Sequence, residues 1–297
     1  MNERLVERKP DKLEILVAES AGFCFGVKRA IRLAKRAAQK AGGEVYTLGP
    51  IIHNPQVVRE LAESGILARS DVNQMEQGVV VVRSHGITRE EKEAAYKKGL
   101  TLVDATCPYV KRIHQIMEKL SGEGYQVVIL GDKSHPEVKG ILSHCRDMEK
   151  IRLVGSAAEA KALEPVEKAA LVAQTTQSKE EFMAVLEVLI GKAGEVRVFN
   201  TICDATSERQ TEAGELAKSV ECMIVVGGFN SANTTRLTRM CGRLQPNTHQ
   251  VETPEDVKAE WFEGIRKVGV TAGASTPRNM VEEVVNKIAS LPDSFIW

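Results

Sequence analysis

Residues 21–30 read AGFCFGVKRA and place Cys24 where an apolar strand-like run, LEILVA, passes into a helix-like run, VKRAIRLAKRAA. Two later stretches have the same form: LTLVDATC ends at Cys107, and VRVFNTIC ends at Cys203. A cysteine that only fills a core has no reason to recur at the start of a helix. Its recurrence at intervals of 83 and 96 residues predicts three repeated modules.

Two further kinds of strand ending also occur three times. In the first, a strand is followed by a glycine and, four positions later, by a polar side chain; in the second, a strand closes in small polar residues or histidine. The polar residues that end these strands are His53, His135 and Ser231 in the first kind, and His85, Thr175 and Ser275 in the second. Those of the first kind follow their cysteines by 28 or 29 residues, which supports the repeat.

The segments between these strands have helical periodicity, as in Val27, Ile31 and Ala34. Strands that alternate with helices predict parallel βαβ units, so we expect an α/β fold of three modules, at residues 13–100, 101–195 and 196–290. In the third module, Ser207 and Gln210 suggest a capping box at a helix start.

In open α/β sheets, ligands bind beyond the carboxyl ends of the strands, where all three kinds of ending lie. A pseudo-threefold arrangement of the modules would bring the three cysteines and the six polar loop ends to one centre.

Composition excludes several classes of partner. The 297 residues carry 40 basic and 40 acidic side chains, so no overall charge draws the chain to nucleic acid or to a membrane. The segment MNERLVERKPDKLE lacks the apolar region of a signal peptide, and apolar runs such as VVVV at 79–82 are too short to span a bilayer. We therefore expect a cytoplasmic protein with a small-molecule partner, and cysteines that are ligands, reactive thiols or core residues rather than disulfides.

Three thiolates that converge on one point can hold a metal centre. Two centres suit three sulfurs: a zinc ion with one open position, or a [4Fe–4S] cluster with one iron left without a protein ligand. The wide spacing of Cys24, Cys107 and Cys203 fits neither a zinc ribbon nor the short cysteine run of bacterial ferredoxins. The alternative is that they are core residues, which is the interpretation we favour for Cys222.

The polar strand ends favour an anionic ligand. Histidines, hydroxyls and amides near helix starts donate hydrogen bonds to a phosphate or diphosphate without requiring a lysine. Each alone has the alternative of a local hydrogen bond to its own loop. Glu137, in HPEV, is the carboxylate of this set; it is either a proton donor shielded near the metal or a solvated loop residue.

Nine motifs in order carry a resemblance to a known family. They are AGFCFGVKRAI, LGPIIHNPQVV, RSHG, DATCPYV, HPEV, QTT, ICDAT followed by RQ, NSAN and GAS, between about Ile15 and Val284. Together they closely resemble the 4-hydroxy-3-methylbut-2-enyl diphosphate reductase family, which catalyses the last step of the non-mevalonate isoprenoid pathway. The resemblance implies a trefoil of three α/β domains around an iron–sulfur cluster. It also implies reductive loss of a hydroxyl group, giving isopentenyl and dimethylallyl diphosphates.

The resemblance also implies a role for each site residue. The expected [4Fe–4S] ligands are Cys24, Cys107 and Cys203; the expected catalytic residues are Glu137, Thr175 and His135; and the expected substrate-binding residues are His53, His85, His135, Thr175, Ser231, Ala232, Asn233 and Ser275. The chain departs from the family pattern at Ala232, where a serine is common, and at Phe229, where a polar residue is usual. We expect one hydrogen bond to the diphosphate to be missing.

The source of electrons is predicted from what the sequence lacks. It has no GxGxxG and no GxxxxGK[ST] motif, so electrons should come from a protein carrier, for which the resemblance implies ferredoxin or flavodoxin. The basic run KRAIRLAKRAAQK after Cys24 is either a docking face for that carrier or a solvated helix face. We expect a monomer.

Three other functions fit parts of the pattern. An iron–sulfur hydro-lyase would eliminate water without an external reductant. A sensor with a labile three-cysteine cluster would have little use for an anion pocket. A zinc protein would contain no acid-labile sulfide.

Overall fold

The computed structural model of the chain describes residues 13–291, so the charged segment before residue 13 lies outside the described part. The strands are β1 (Glu14–Val17), β2 (Val45–Leu48), β3 (Ile66–Arg69), β4 (Val79–Val82), β5 (Thr101–Asp104), β6 (Gln126–Leu130), β7 (Ile151–Val154), β8 (Val166–Ala173), β9 (Ala193–Val198), β10 (Cys222–Val226), β11 (Thr248–Val251) and β12 (Lys267–Ala272). The helices are α1 (Phe25–Lys40), α2 (Pro55–Glu63), α3 (Arg89–Lys97), α4 (Pro108–Gly122), α5 (Pro136–Ser143), α6 (Ala157–Lys161), α7 (Lys179–Ile190), α8 (Asp204–Ser219), α9 (Ala232–Leu244) and α10 (Arg278–Ala289), with short 3₁₀ turns at Val72–Gln74, Met148–Lys150, Pro254–Asp256 and Ala259–Phe262.

The strands form three four-stranded sheets with the same internal order. These orders are β3-β2-β4-β5, β7-β6-β8-β9 and β11-β10-β12-β1. Every strand pair in the described residues is parallel. The prediction of an α/β fold built from three repeated, parallel-sheet modules is therefore confirmed.

The strand that leads to each cysteine belongs to a different sheet from the one expected. β5 pairs with β4, with Val79 opposite Thr101, and so closes the sheet of the first module. Its Leu102 packs with the core residues on one side of that sheet and its Val103 with those on the other. In the same way, β9, which leads to Cys203, pairs with β8 at the edge of the second sheet, and β1, which leads to Cys24, pairs with β12 at the edge of the third. The sheets therefore extend past the module limits expected at residues 100 and 195.

The described residues form two compact units, one from residues 13–22 and 209–291 and the other from residues 23–208. The smaller unit contains the β11-β10-β12-β1 sheet, and the larger unit contains the other two sheets. Each sheet is covered on both faces. In β6, for example, Val127 and Ile129 join one apolar cluster while Val128 and Leu130 join another, as expected for strands of a parallel sheet.

Several helices begin at residues of the predicted sites. Cys24 and Cys107 are the N-caps of α1 and α4, and His135 is the N-cap of α5. The predicted capping box at Ser207 is wrong, because α8 already begins at Asp204 and the Ser207 N–H bonds to the Cys203 carbonyl inside the first turn. None of the helices in residues 13–291 is long and apolar enough to cross a membrane.

Candidate active site

Three histidines from two sheets meet in the larger unit. His53 follows β2, His85 follows β4 and His135 follows β6. Their ring centroids lie 4.7 Å apart for His53 and His85, 5.5 Å for His53 and His135, and 5.4 Å for His85 and His135. In the order β3-β2-β4-β5, the chain leaves β2 and β4 toward opposite edges of the sheet, so His53 and His85 lie at a topological switch point.

The hydrogen bond at the start of α5 fixes the protonation of one ring. The Glu137 backbone N–H donates to His135 Nδ1 at 3.2 Å. A ring nitrogen that accepts a hydrogen bond carries no proton, so in neutral His135 the proton is on Nε2. His135 therefore presents a donor, which suits an anion, whereas a metal ion would need a free ring lone pair.

The His53 and His85 rings lie in surroundings that keep an imidazole neutral. Burial lowers the pKa of His53, and it lowers that of His85 further, to well below its ordinary value. The charge of Arg83 lowers the pKa of both as well. At neutral pH each of these two rings therefore offers one N–H donor and one acceptor rather than a positive charge.

A buried carboxylate and a threonine are joined next to the histidines. Glu137 is 1% exposed. The Thr175 backbone N–H donates to its Oε1 at 2.7 Å, and the Thr175 hydroxyl lies 2.8 Å from its Oε2. Since the two residues come from α5 and from the end of β8, this double contact holds the Glu137 side chain in one orientation.

The cysteines lie close to this carboxylate. A Cβ placed on Gly26 would meet Cys107 Sγ at 2.8 Å and Cys24 Sγ at 3.9 Å, so both sulfur atoms border the first turn of α1. Cys203 Sγ lies 3.0 Å from the Thr206 hydroxyl. The negative charge of Glu137 raises the pKa of both Cys107 and Cys203. The carboxylate and the cysteines therefore lie in one region of the larger unit.

Burial, rather than the helix N-terminus, controls the ionisation of two of these thiols. It raises the pKa of Cys203 to about 11 and also raises that of Cys107, although backbone N–H groups of the following helices act in the opposite direction. For Cys107 and Cys203, the helix starts alone therefore do not give stable thiolates. A bound metal would supply the positive charge that favours deprotonation.

Three residues of this region were missed by sequence reasoning. Arg83 donates from Nε to the Gly86 carbonyl at 3.2 Å, and a Cβ on Gly49 would lie 2.5 Å from its Nη1. Tyr109 donates to Asp204 at 2.5 Å, which joins the starts of α4 and α8. Only Arg83 gave a signal, as a cation in RSHG at the end of an apolar strand.

The remaining predicted residues lie in the smaller unit. Ser231 is the N-cap of α9, and its Oγ accepts from the Thr234 N–H at 3.3 Å; Ala232 begins the helix. Asn233 Nδ2 is buried without a hydrogen-bond partner among residues 13–291, so it retains a donor for a ligand. Ser275 follows β12, which pairs with β10, so the loops that carry Ser231 and Ser275 leave adjacent strands.

Comparisons with known proteins show which family the chain belongs to. A family model described as LytB protein matches residues 15–289. A protein of Geobacter metallireducens (strain ATCC 53774 / DSM 7210 / GS-15) is 51% identical, with 94% of this chain and 98% of the relative covered. A protein of Geobacter sulfurreducens (strain ATCC 51573 / DSM 12127 / PCA) is also 51% identical, with 93% and 97% covered. Both relatives are named 4-hydroxy-3-methylbut-2-enyl diphosphate reductase.

Two solved structures are similar to the chain. One, described as (E)-4-hydroxy-3-methyl-but-2-enyl diphosphate reductase, the terminal enzyme of the non-mevalonate pathway, is 46% identical with a TM-score of 0.66 and covers 94% of this chain and 100% of its own. The other, E-1-hydroxy-2-methyl-but-2-enyl-4-diphosphate reductase from Plasmodium falciparum, is 26% identical with a TM-score of 0.89 and covers 96% and 90%.

Proposed function

Since the chain belongs to the LytB protein family and is an oxidoreductase of that family, we propose that it reductively removes the hydroxyl group of 4-hydroxy-3-methylbut-2-enyl diphosphate. The products are isopentenyl diphosphate and dimethylallyl diphosphate. The observation that carries the proposal is the buried Glu137–Thr175 pair next to the cluster of three histidines. This arrangement combines a proton source with hydrogen-bond donors for a diphosphate.

The histidines bind the diphosphate. Their ligand atoms lie within 4.8 Å of one another, close enough for three N–H groups to reach one phosphate group. The same spacing suits a metal ion, but the Nε2–H form of His135 favours an anion. Ser231, Asn233 and Ser275 are the further proposed diphosphate donors, and Ala232 contributes no hydroxyl there.

Glu137 and Thr175 deliver the proton. When Glu137 is protonated, its Oε2 can donate to the Thr175 hydroxyl 2.8 Å away, and that hydroxyl can pass its own proton to the leaving oxygen of the substrate. The N–H of Thr175 on Oε1 holds the carboxyl group in place for this transfer. His135, two residues before Glu137, links the diphosphate donors to the proton source.

The chain is an iron–sulfur enzyme by family, and we propose that Cys24, Cys107 and Cys203 hold a [4Fe–4S] cluster. Three sulfurs around one zinc ion would lie within about 4.6 Å of one another. In residues 13–291 the three cysteine sulfurs form no such group, whereas a cluster with one iron per thiolate accommodates a wider spacing. A bound cluster, held by Cys24, Cys107 and Cys203, would supply electrons and a Lewis acid for the substrate alcohol.

The electrons are proposed to come from a ferredoxin or flavodoxin. We also propose that the protein is a cytoplasmic monomer without a nucleic-acid or membrane partner.

The test uses protein purified without oxygen. We expect iron and acid-labile sulfide in equal amounts, a cluster absorption spectrum that changes with added substrate, and turnover only when a reductant is present. Zinc without sulfide, or turnover without reductant, would contradict the proposal in favour of a zinc protein or a hydro-lyase.

A pair of cysteine variants tests the ligand assignment. Cys203→Ser should lose cluster iron, while Cys222→Ser, in fully buried β10, should keep it. Equal iron contents in the two variants would contradict the assignment of Cys203.

A further inference from the structure

Helix α1 has an exposed face made of cations. Val27, Ala30, Ala34 and Ala37 are buried on its inner side. The exposed basic residues of the helix are Lys28, Arg32, Lys35, Arg36 and Lys40. The helix contains no acidic residue, although the whole chain has equal numbers of acidic and basic side chains. The positive charge is therefore concentrated on one side of one helix.

In the part of the chain that the structure describes, these cations have no acidic ion-pair partners. Within residues 13–291, none of the five forms an ion pair. Arg32 lies four positions from both Lys28 and Arg36, a spacing at which like charges repel by a few tenths of a kcal/mol per pair. This arrangement is unfavourable for the isolated helix, and an acidic partner would offset the repulsion. The other basic residue, Arg29, instead donates to the carbonyls of Thr106 and Asp104.

The same face has a groove with an apolar floor. The groove encloses about 450 Å³ and is lined by Phe23, Lys28, Ile31, Arg32, Lys35, Arg36 and Gln39. Phe25 is 62% exposed, an unusual position for a phenylalanine, and it directly follows Cys24. Apolar contact surrounded by charge of one sign is typical of a protein-docking site.

We propose that this face of α1 docks an acidic electron-transfer protein. The proposal rests on the proposed function, because it supplies the docking place for the reductant of that reaction. The helix starts at Cys24, and at 1.5 Å per residue Lys28 and Lys35 lie roughly 6 Å and 16 Å along its axis from that cysteine. A carrier attracted by the cations and seated on the groove therefore approaches the cysteine end of the helix.

The test compares two matched charge-reversal variants of the holoenzyme. Arg32→Glu with Arg36→Glu reverses two exposed arginines four positions apart on α1. Arg239→Glu with Arg243→Glu makes the same change on α9, where both arginines are also exposed and unpaired within the described residues. The variants have the same net charge, so a difference between them reports the location of the change.

Binding and reduction are measured with an acidic flavodoxin. We expect the α1 variant to bind it at least tenfold more weakly than the wild type by calorimetry at low salt, and to lose most of the dependence of cluster reduction on ionic strength. The α9 variant should stay within twofold of the wild type. Turnover driven by dithionite with methyl viologen should stay within twofold in both variants. Unchanged flavodoxin binding by the α1 variant, or equal weakening by the α9 variant, would overturn the proposal.

The proposed function and the proposed docking face would fail with different experimental results. If wild-type holoenzyme does not turn over with either reductant, the proposed function is contradicted, while calorimetry with flavodoxin still decides the docking face. Reversal also relieves like-charge repulsion on α1, so thermal unfolding should show that the α1 variant is at least as stable as the wild type.

Discussion

Two groups of histidines in the larger unit have similar burial but different surroundings. The first is the cluster of His53, His85 and His135. The second is the stack of His114 and His144, with ring centroids 3.9 Å apart and planes 15° apart. The groups are neighbours, because a Cβ on Gly86, next to His85, would lie 3.2 Å from His114 Cε1. Burial is the main cause of the lowered pKa in His53, His85 and His114 alike.

The difference lies in the charges around each group. The stack borders a cavity of about 440 Å³ whose main charged residues are already paired, Arg89 with Glu118 and Lys111 with Asp104. Near the cluster, the carboxylate of Glu137 accepts hydrogen bonds from the backbone N–H and the hydroxyl of Thr175. A buried histidine with a lowered pKa therefore does not by itself mark a site, because both groups contain one.

The largest expected effect on turnover comes from changing the carboxylate of Glu137, next to the first group. Glu137→Gln keeps the side-chain volume but removes the transferable proton, so we expect turnover to fall about 100- to 10,000-fold. Steady-state kinetics with dithionite and methyl viologen measures it, with thermal unfolding as the check on folding. Turnover within twofold of the wild type would remove Glu137 from the mechanism.

The second prediction compares KM after the same substitution in one histidine of each group. His53→Leu removes a donor to the diphosphate, and a hydrogen bond to a charged group contributes about 1.5–3 kcal/mol, so KM should rise about 10- to 100-fold. His144→Leu, the matched change in the stack, should leave KM within twofold. Equal effects in the two variants would mean that the stack also contacts the substrate.

The third prediction concerns pH and the stack. Burial lowers the pKa of His114 to about 3, from an ordinary value of 6.5. Between those pH values the unfolded chain binds more protons than the folded chain, so stability falls as pH decreases from 6.5. The loss is at most about 1.4 kcal/mol per pH unit for this residue.

The variant His114→Gln should lack this contribution. Urea unfolding at about pH 7 and about pH 5 should show a smaller loss of stability on acidification for the variant than for the wild type. Equal losses would mean that His114 is already protonated in the folded protein at about pH 5.

The smallest effect is expected at the ion pairs beside the stack. Arg89 and Glu118 form a salt bridge, but their side chains are 41% and 42% exposed. Water screens such a pair, so Glu118→Gln should change the free energy of unfolding by less than about 1 kcal/mol and leave turnover unchanged. A loss of several kcal/mol would show that this salt bridge is critical to the fold.

The positions of the site residues along the chain could be predicted because they follow local rules. Strand endings and helix starts are encoded within a few residues, so Cys24 and His135 were correctly expected at helix starts. The repeat then allowed Ser231 to be expected in the same position in the third module. Their grouping around a diphosphate and a cluster stays a prediction.

Other features depend on contacts between distant residues, which no local pattern records. Nothing in LTLVD indicates that β5 joins the strands before it rather than those after it, because a buried parallel strand looks the same in either sheet. The contact of Thr206 with Cys203 and that of Tyr109 with Asp204 depend on which atoms meet after folding. The raised pKa of Cys203 could not be predicted either, because the sequence does not show how deeply the thiol is buried.

The pairing of β1 with β12 has a consequence for biosynthesis. Residues 14–17 leave the ribosome long before residues 267–272, yet they form one sheet edge. At 5–20 residues per second, β1 waits roughly 10 to 50 s for its neighbour strand to emerge. The smaller unit should therefore complete after the larger one, because β1 has no strand to pair with until β12 has been synthesised.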